Sequence, residues 1–459
     1  MKKFLISSVC VASLIAPQIS FATTTLRHAL DSTHEKNPVL DAKRSELEAA
    51  KADNIRRFAG FLPNVELKGS RSKTTVKDKT EPFENRNENQ NQRSLQITQN
   101  VFKGGESYAK FKMANARVAQ KQAEYVAEEQ KVLLEGVKAY LEIWAKEANL
   151  KVSQKAERVF KETLEATLEK LRFGVASQAD VERATAEYQK ANAKLAQSQS
   201  ELSGAVATFE NTTGLIYDAL AEPNMLVAMP TQMDDVVARA YVANPNLIQA
   251  DRAVDEADAQ NTVSKSAFLP SVDVSASIAH DKRSSSDNDR INRNTNRLNR
   301  SLTAELRIPL FQQGNEYAGL KEAVNNLEAK KKRRRATQQE LMQSIRSTWA
   351  GWKASMSQVE SLTTGVKAAT FVKEGLRQEY DFGIKSLFDV YQAEKDLLDA
   401  EYQLISAKQQ EFMSAYQLLS LTGQLTADHL KLKETEASMQ TPQETVLYTP
   451  GETQHDKQI

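Results

Sequence analysis

Two stretches of this chain, Leu171–Phe209 and Tyr380–Leu418, are one segment written twice in the same register. Phe173-Gly174 matches Phe382-Gly383, Ser177 matches Ser386, and Asp180-Val181 matches Asp389-Val390. A heptad seam follows each Phe-Gly. In the first copy it runs Val181, Ala184, Tyr188, Ala191, Leu195, Ser198, Leu202, Ala205, Phe209; in the second, Val390, Ala393, Leu397, Ala400, Leu404, Ala407, Glu411, Ser414, Leu418. Spacings of three and four alternate without a break, as a left-handed coiled-coil seam requires. Each copy therefore reads as the turn and return helix of an antiparallel helical hairpin. The chain is one domain built twice, not the three that a length of 459 residues suggests by itself.

The expected organisation is a signal peptide over 1–22, a first repeat over 23–213, an equatorial connection over 214–234, a second repeat over 235–423, and an equatorial segment with a disordered tail over 424–459. In the signal, Lys2 and Lys3 precede the apolar run Phe4–Ile15, and Ser20-Phe21-Ala22 is a small-x-small cleavage site. Losing it takes the 61 basic residues to 59, against 60 acidic, so no bulk charge favours nucleic acid. It also removes Cys10, the one cysteine, leaving no disulfide and no lipid anchor. No other run approaches the roughly 18 apolar residues of a membrane-spanning helix, so a membrane crossing has to be made by strands. Met439–Ile459 lacks periodicity.

In chain order, helical pattern over 23–60 is interrupted at Asn37-Pro38, as its counterpart is at Asn244-Pro245. Phe61-Leu62-Pro63 and Phe268-Leu269-Pro270 then end the helices, and the apolar period changes from 3.6 to 2. Val272, Val274, Ala276 and Ile278 alternate with polar residues, as do Leu302, Ala304, Leu306, Ile308 and Leu310; Val65, Leu67, Leu95, Ile97 and Val101 give a weaker first copy. These are two strand hairpins, about 64–102 and 271–311, with strands of about ten residues, the length of transmembrane barrel strands. A soluble sheet with one wet face carries the same alternation. The polar stretches Lys77–Gln92 and Asp281–Arg300 read as long surface loops at the hairpin tips. Each hairpin closes on Phe-x-x-Gly, at Phe102–Gly105 and Phe311–Gly314, and helix formers then run without proline to Arg172 and Asp381. As single helices these would each be about 100 Å long and need lateral partners.

Four strands cannot close a barrel, and lipid tolerates no unpaired strand edge; since small closed barrels need about eight strands, several copies are required. Duplicated FLP before the strands, Phe-x-x-Gly after them, and FGxxxxxDV at the hairpin turns resemble the TolC-like outer-membrane efflux proteins, roughly over 25–423. The resemblance implies a mainly α fold carrying a membrane β-barrel. Long antiparallel coiled-coil hairpins form a periplasmic tunnel, and four strands per protomer complete a trimeric twelve-stranded barrel in outer-membrane lipid. It further implies a periplasmic adaptor and an inner-membrane transporter of RND or ABC type as partners.

By the same resemblance, the tips at about 171–180 and 380–389 hold the entrance gate, at Tyr380, Lys385, Asp389 and Gln392, with Asp180 on the facing hairpin. Lys385 keeps a positive charge but lacks the fork of an arginine, and Gln392 stands where the best-known member has a second Asp. Phe173, Gly174, Phe382 and Gly383 become adaptor contacts. Read from the residues alone, Ser177-x-x-Asp180 and Ser386-x-x-Asp389 are capping boxes, a role that can coexist with the gate. Gly174 and Gly383 are C-caps with φ above zero.

The basic run Lys330–Arg335 reads as a solvated or lumen-facing strip of a long helix. The five histidines have no metal spacing and no catalytic constellation is evident, so neither enzyme nor cofactor is expected. The expected function is a passive outer-membrane exit duct for efflux or secretion. A type I protein-secretion duct is one alternative; a periplasmic coiled-coil scaffold or adaptor is another, from a different class.

Overall fold

A computed structural model describes residues 23–77, 85–287 and 291–432; the expected signal peptide and the tail lie outside them. Leu26–Lys36 (α1) and Pro38–Ala59 (α2) lead into strands Asn64–Lys77 (β1) and Asn85–Lys103 (β2), then helices Glu106–Arg172 (α3) and Gln178–Thr213 (α4). The second half repeats the order: Met233–Ala243 (α5), Pro245–Ser266 (α6), Ser271–Asp287 (β3), Ile291–Arg307 (β4), Asn315–Asp381 (α7) and Leu387–Leu421 (α8), with a short Ala427–Leu430 (α9) after it. At both helix breaks the Asn caps and the Pro takes the first turn: Asn37 Oδ1 accepts from Val39 N at 2.9 Å, and Asn244 Oδ1 from Leu247 N at 3.1 Å.

α3 and α7 are each one unbroken helix of 67 residues. Their starts need left-handed backbone, which Gly105 and Gly314 supply at φ 83° and 80°. The preceding position is left-handed as well. It is Gly104 in the first copy but Gln313 in the second, at φ 60°. Both seams are occupied as spaced, all eighteen positions being buried or half-buried. α4 packs along α3 and α8 along α7, while α8 also lies against α3, so the two hairpins touch along one side.

The thickest core lies at mid-height, where the fully buried Tyr140, Phe209 and Tyr416 meet Leu26, Leu30 and Leu133. The inter-repeat segment belongs to it: Leu220, Met225 and Leu226 pack there, the Tyr140 hydroxyl donates to Ala221 O at 2.7 Å, and the Tyr416 hydroxyl donates to Asn224 O at 3.1 Å. Burial pushes both phenols up to about 12. Leu425, Leu430 and Leu432 join the same core, and Arg27 Nη1 donates to Lys431 O at 2.8 Å.

The strands form one antiparallel sheet in the order β1-β2-β3-β4. They are longer than the alternation suggested, at 14, 19, 17 and 17 residues. The expected loops are therefore mostly strand. β1 and β2 pair from Asn64↔Thr98 to Lys77↔Asn85, and β3 and β4 from Ser271↔Arg307 to Asp287↔Ile291. Asn, Ser and Arg are poor strand formers alone, but a register already set by the apolar rows continues to pair their backbones. At the other end β4 stops at Arg307, so Ile308 and Leu310 lie beyond the strand rather than on its apolar face; Pro309 has no N–H to give a ladder.

One bulge corrects the first copy. Asn100 pairs with Asp273 and Phe102 with Val272, leaving Val101 as the extra residue. The bulge moves Phe102 onto the face of Val272 and Leu306. One face now carries mainly apolar rows: Phe102·Val272·Leu306, then Gln99·Val274·Ala304, then Val65·Ile97·Ala276·Leu302, then Leu67·Leu95·Ile278. The opposite face is polar, with Ser277 and Ser301 hydroxyls 2.8 Å apart, Asn100 donating to Asp273, and Arg307 paired to Glu305 at 2.8 Å. No helix among the described residues is long and apolar enough to cross a membrane.

Candidate functional site at the hairpin tips

The two tips are built alike. α3 ends on a Schellman motif in which Val175 N donates to Lys170 O and Gly174 N to Leu171 O, both at 2.9 Å. α7 ends the same way, through Ile384 N to Glu379 O at 2.8 Å and Gly383 N to Tyr380 O at 2.9 Å. Gly174 and Gly383 adopt the required φ of 74° and 75°. Three residues on, capping boxes start the return helices. Asp180 Oδ2 accepts from Ser177 N at 3.0 Å and from its hydroxyl at 2.7 Å, and Asp389 does the same with Ser386 at the same distances. The Ser386 hydroxyl and N–H, aided by the Lys385 charge, hold the Asp389 carboxyl below the usual range; Ser177 acts likewise on Asp180, with help from Arg183. Between these rigid caps four apolar side chains are left without a partner among the described residues: Phe173 and Phe382 are 79% and 82% exposed, and Val175 and Ile384 protrude beside them.

The outer membrane efflux protein family model matches residues 29–215 and 236–424, most of both repeats. This chain belongs to that family. It is 22% identical to the outer membrane efflux protein BepC of Brucella suis, over 94% of this chain and 92% of BepC. It is 23% identical to the outer membrane protein TolC of Escherichia coli, over 75% of this chain and 71% of TolC. Its fold superposes on the Campylobacter jejuni CmeC outer membrane channel with a TM-score of 0.75 at 16% identity, covering 87% of this chain and 85% of CmeC. As an outer membrane efflux protein the chain is an exit duct of the outer membrane with a periplasmic part, in a family of channels rather than enzymes.

In this efflux protein the expected gate residues do not form one cluster. Tyr380 reaches the facing hairpin, where its hydroxyl accepts from Lys170 Nζ at 2.9 Å and its ring lies 4.1 Å from that ammonium. Asp180 and Asp389 are each turned to their own capping serine, and Lys385 makes no ion pair among the described residues. Gln392 donates along its own helix to Asp396 at 2.7 Å.

The contacts that tie α7/α8 to α3/α4 come chiefly from residues that sequence reasoning passed over. Lys155 pairs with Glu401 at 2.7 Å, the Ser153 and Tyr402 hydroxyls are 2.7 Å apart, and the Arg183 guanidinium lies 5.4 Å from the Phe388 ring centre. The Phe160 and Tyr391 rings lie 5.8 Å apart, tilted by 38°, and burial pushes the Tyr391 hydroxyl up to about 12. One signal could have found Lys170. The repeat reverses charge at the tip, Lys170 and Arg172 in the first copy standing where the second has Glu379 and Asp381. The run Lys330–Arg335 is a mostly exposed strip of α7, with Arg334 paired to Asp251 at 2.7 Å. Among the described residues no cluster of potential metal ligands occurs.

Proposed function

We propose that three copies of this chain close a twelve-stranded barrel and a helical tunnel, forming a passive duct that takes cargo from an energised inner-membrane transporter of RND or ABC type through a periplasmic adaptor. The observation that carries this reading is the open sheet. β1 and β4 are its edges, and the face carrying Leu67, Leu302 and Leu306 is exposed. In lipid every backbone donor and acceptor on those edges must be paired, which only further copies of the same sheet supply. The apolar face then meets lipid and the polar face lines the lumen.

The tips supply the two remaining parts. Phe173, Val175, Phe382 and Ile384 are apolar, rigidly presented and unpartnered, as an adaptor contact at the periplasmic entrance needs. Tyr380 and its cation hold the second hairpin against the first, and with Lys385, Asp389 and Gln392 on the same tip, though not in contact with that pair, this layer serves as the gate. Gly174 and Gly383 present the contact, and Asp180 adds a carboxylate to the same layer. Light scattering of the detergent-solubilised protein, corrected for bound detergent, should give three chains; a monomer would overturn the duct as assembled here.

A further inference from the structure

The apolar face of the sheet changes character towards the hairpin turns, and it changes in one direction only. Beyond the row Val65·Ile97·Ala276·Leu302, ladder pairing places Arg300, Arg93, Lys282, Arg71 and Lys73 on that same face, accompanied by His280. No carboxylate shares this face anywhere among the residues whose side chains are described. The sheet's described acids, Glu66, Glu88, Asp273, Asp281 and Glu305, all fall on the opposite face, where Lys68, Arg283 and Arg307 accompany them. The five Lys and Arg are exposed and enter no ion pair among the described residues. A lumen accepts polar groups and charges of either sign along its length; a lipid-facing surface tolerates charge only at its borders. Five uncompensated cations at the distal border of an apolar band, with helices leaving from the proximal border, complement a layer of negative charge at that height.

We propose that this collar binds the phosphate-bearing headgroups of the lipid leaflet at the distal membrane surface. Arg300 sits in the row of Leu67, Leu95 and Ile278, at the edge of the apolar band, a position from which a long cationic side chain can carry its charge to the border. Arg93, Lys282, Arg71 and Lys73 lie one to three rows further out, each row about 6.7 Å along the strand. Guanidinium groups suit phosphate because their donors form a fork that matches its oxygens. The inference rests on the lipid-facing assignment of this face and adds a ligand class to it.

The test uses the full-length protein in detergent, titrated with a diphosphorylated acyl glycolipid, its dephosphorylated counterpart and phosphatidylcholine, with retained lipid counted by native mass spectrometry. The phosphorylated lipid should be retained preferentially. Lys282→Gln and Arg300→Gln should each weaken its retention roughly fivefold at low salt, whereas Arg300→Lys should weaken it less. Arg283→Gln and Arg297→Gln, each the same charge change on the opposite face, should leave retention unchanged. Equal retention of the phosphorylated and dephosphorylated lipids, or an equal loss from the opposite-face variants, would overturn the collar. Displacement by millimolar inorganic phosphate would also overturn it, by making the site one for free anions. Retention of no lipid of any kind would instead sink the lipid-facing assignment. A variant that fails to assemble is replaced by wild-type protein across a salt series, in which retention of the phosphorylated lipid alone must fall steeply.

Discussion

At Gln313 the duplication leaves a local conflict. Its counterpart Gly104 is left-handed too, but there a Cβ would come within 2.6 Å of the Leu269 Cβ and 2.9 Å of Ser266 O. Gln313 is exposed yet held at φ 60°, a conformation that costs a side chain of this type roughly 1 kcal/mol. The two equivalent positions should therefore respond with opposite signs. Gln313→Gly should stabilise the protein by about 1 kcal/mol, and Gly104→Ala should destabilise it, read as shifts of the urea midpoint in one detergent. The capping boxes make a second residue-scale case. Ser386→Ala removes a hydroxyl that both accepts from Asp389 N and donates to its carboxylate, and should loosen the start of α8 by about 1 kcal/mol. Because Asp180 and Asp389 have folded pKa values below the ordinary carboxylate range, their capping contribution is complete above that range and is lost as pH falls through the folded values. Hydrogen exchange at both tips, corrected for intrinsic rate, should stay constant from pH 7 to about 5 and rise only below about pH 4. Loss of protection already at pH 6 would mean that carboxylates crowd one another enough to be protonated.

For helices and strands, legibility followed locality. The helix breaks at Asn-Pro, the Phe-Gly turns, the capping boxes and the heptad seams each need only a few neighbouring residues, and all were readable from the sequence. Strand length was not readable, because the outer halves of β1–β4 are held by pairing to partners and not by their own propensities. The bulge at Val101 was equally silent, since only the register on β3 reveals that one residue is extra. The Lys170–Tyr380 contact joins helices 210 positions apart and has no local signature beyond the charge reversal between the copies. The strands also give a test of sidedness. Leu302→Arg, well inside the apolar face, should cost about 2–4 kcal/mol in the membrane, whereas Arg307→Ser, facing the other way, should leave assembly intact by heat-resistant oligomer migration. Equal tolerance would argue for a sheet wet on both faces.

Across the whole molecule, the same polar contacts decide whether the second hairpin can move. Within one chain α7/α8 is fastened to α3/α4 by Lys170–Tyr380 near the tip and by Lys155–Glu401 and Ser153–Tyr402 higher up. Lys170–Tyr380 and the Arg183–Phe388 contact lie nearest the tip, so releasing the first should loosen the tip while the upper ties hold the hairpins together. Lys170→Ala combined with Tyr380→Phe should therefore raise the resting conductance in planar bilayers. Asp389→Asn should weaken block by divalent cations added from the periplasmic side. Unchanged conductance in both would place the constriction elsewhere along the tunnel.

The matching lengths of α3 and α7 have a consequence for how such a chain can vary. Each long helix is flanked by shorter ones above and below the equatorial core, α2 and α6 towards the strands, α4 and α8 towards the tips. An insertion in one helix alone would displace its tip by about 1.5 Å per residue relative to its neighbour and rotate the seam out of register. Only whole heptads, added to outgoing and returning helices of both hairpins together, keep Tyr380 opposite Lys170. The span from membrane to entrance is in effect a ruler graduated in sevens, and it can be recut only on all four edges at once.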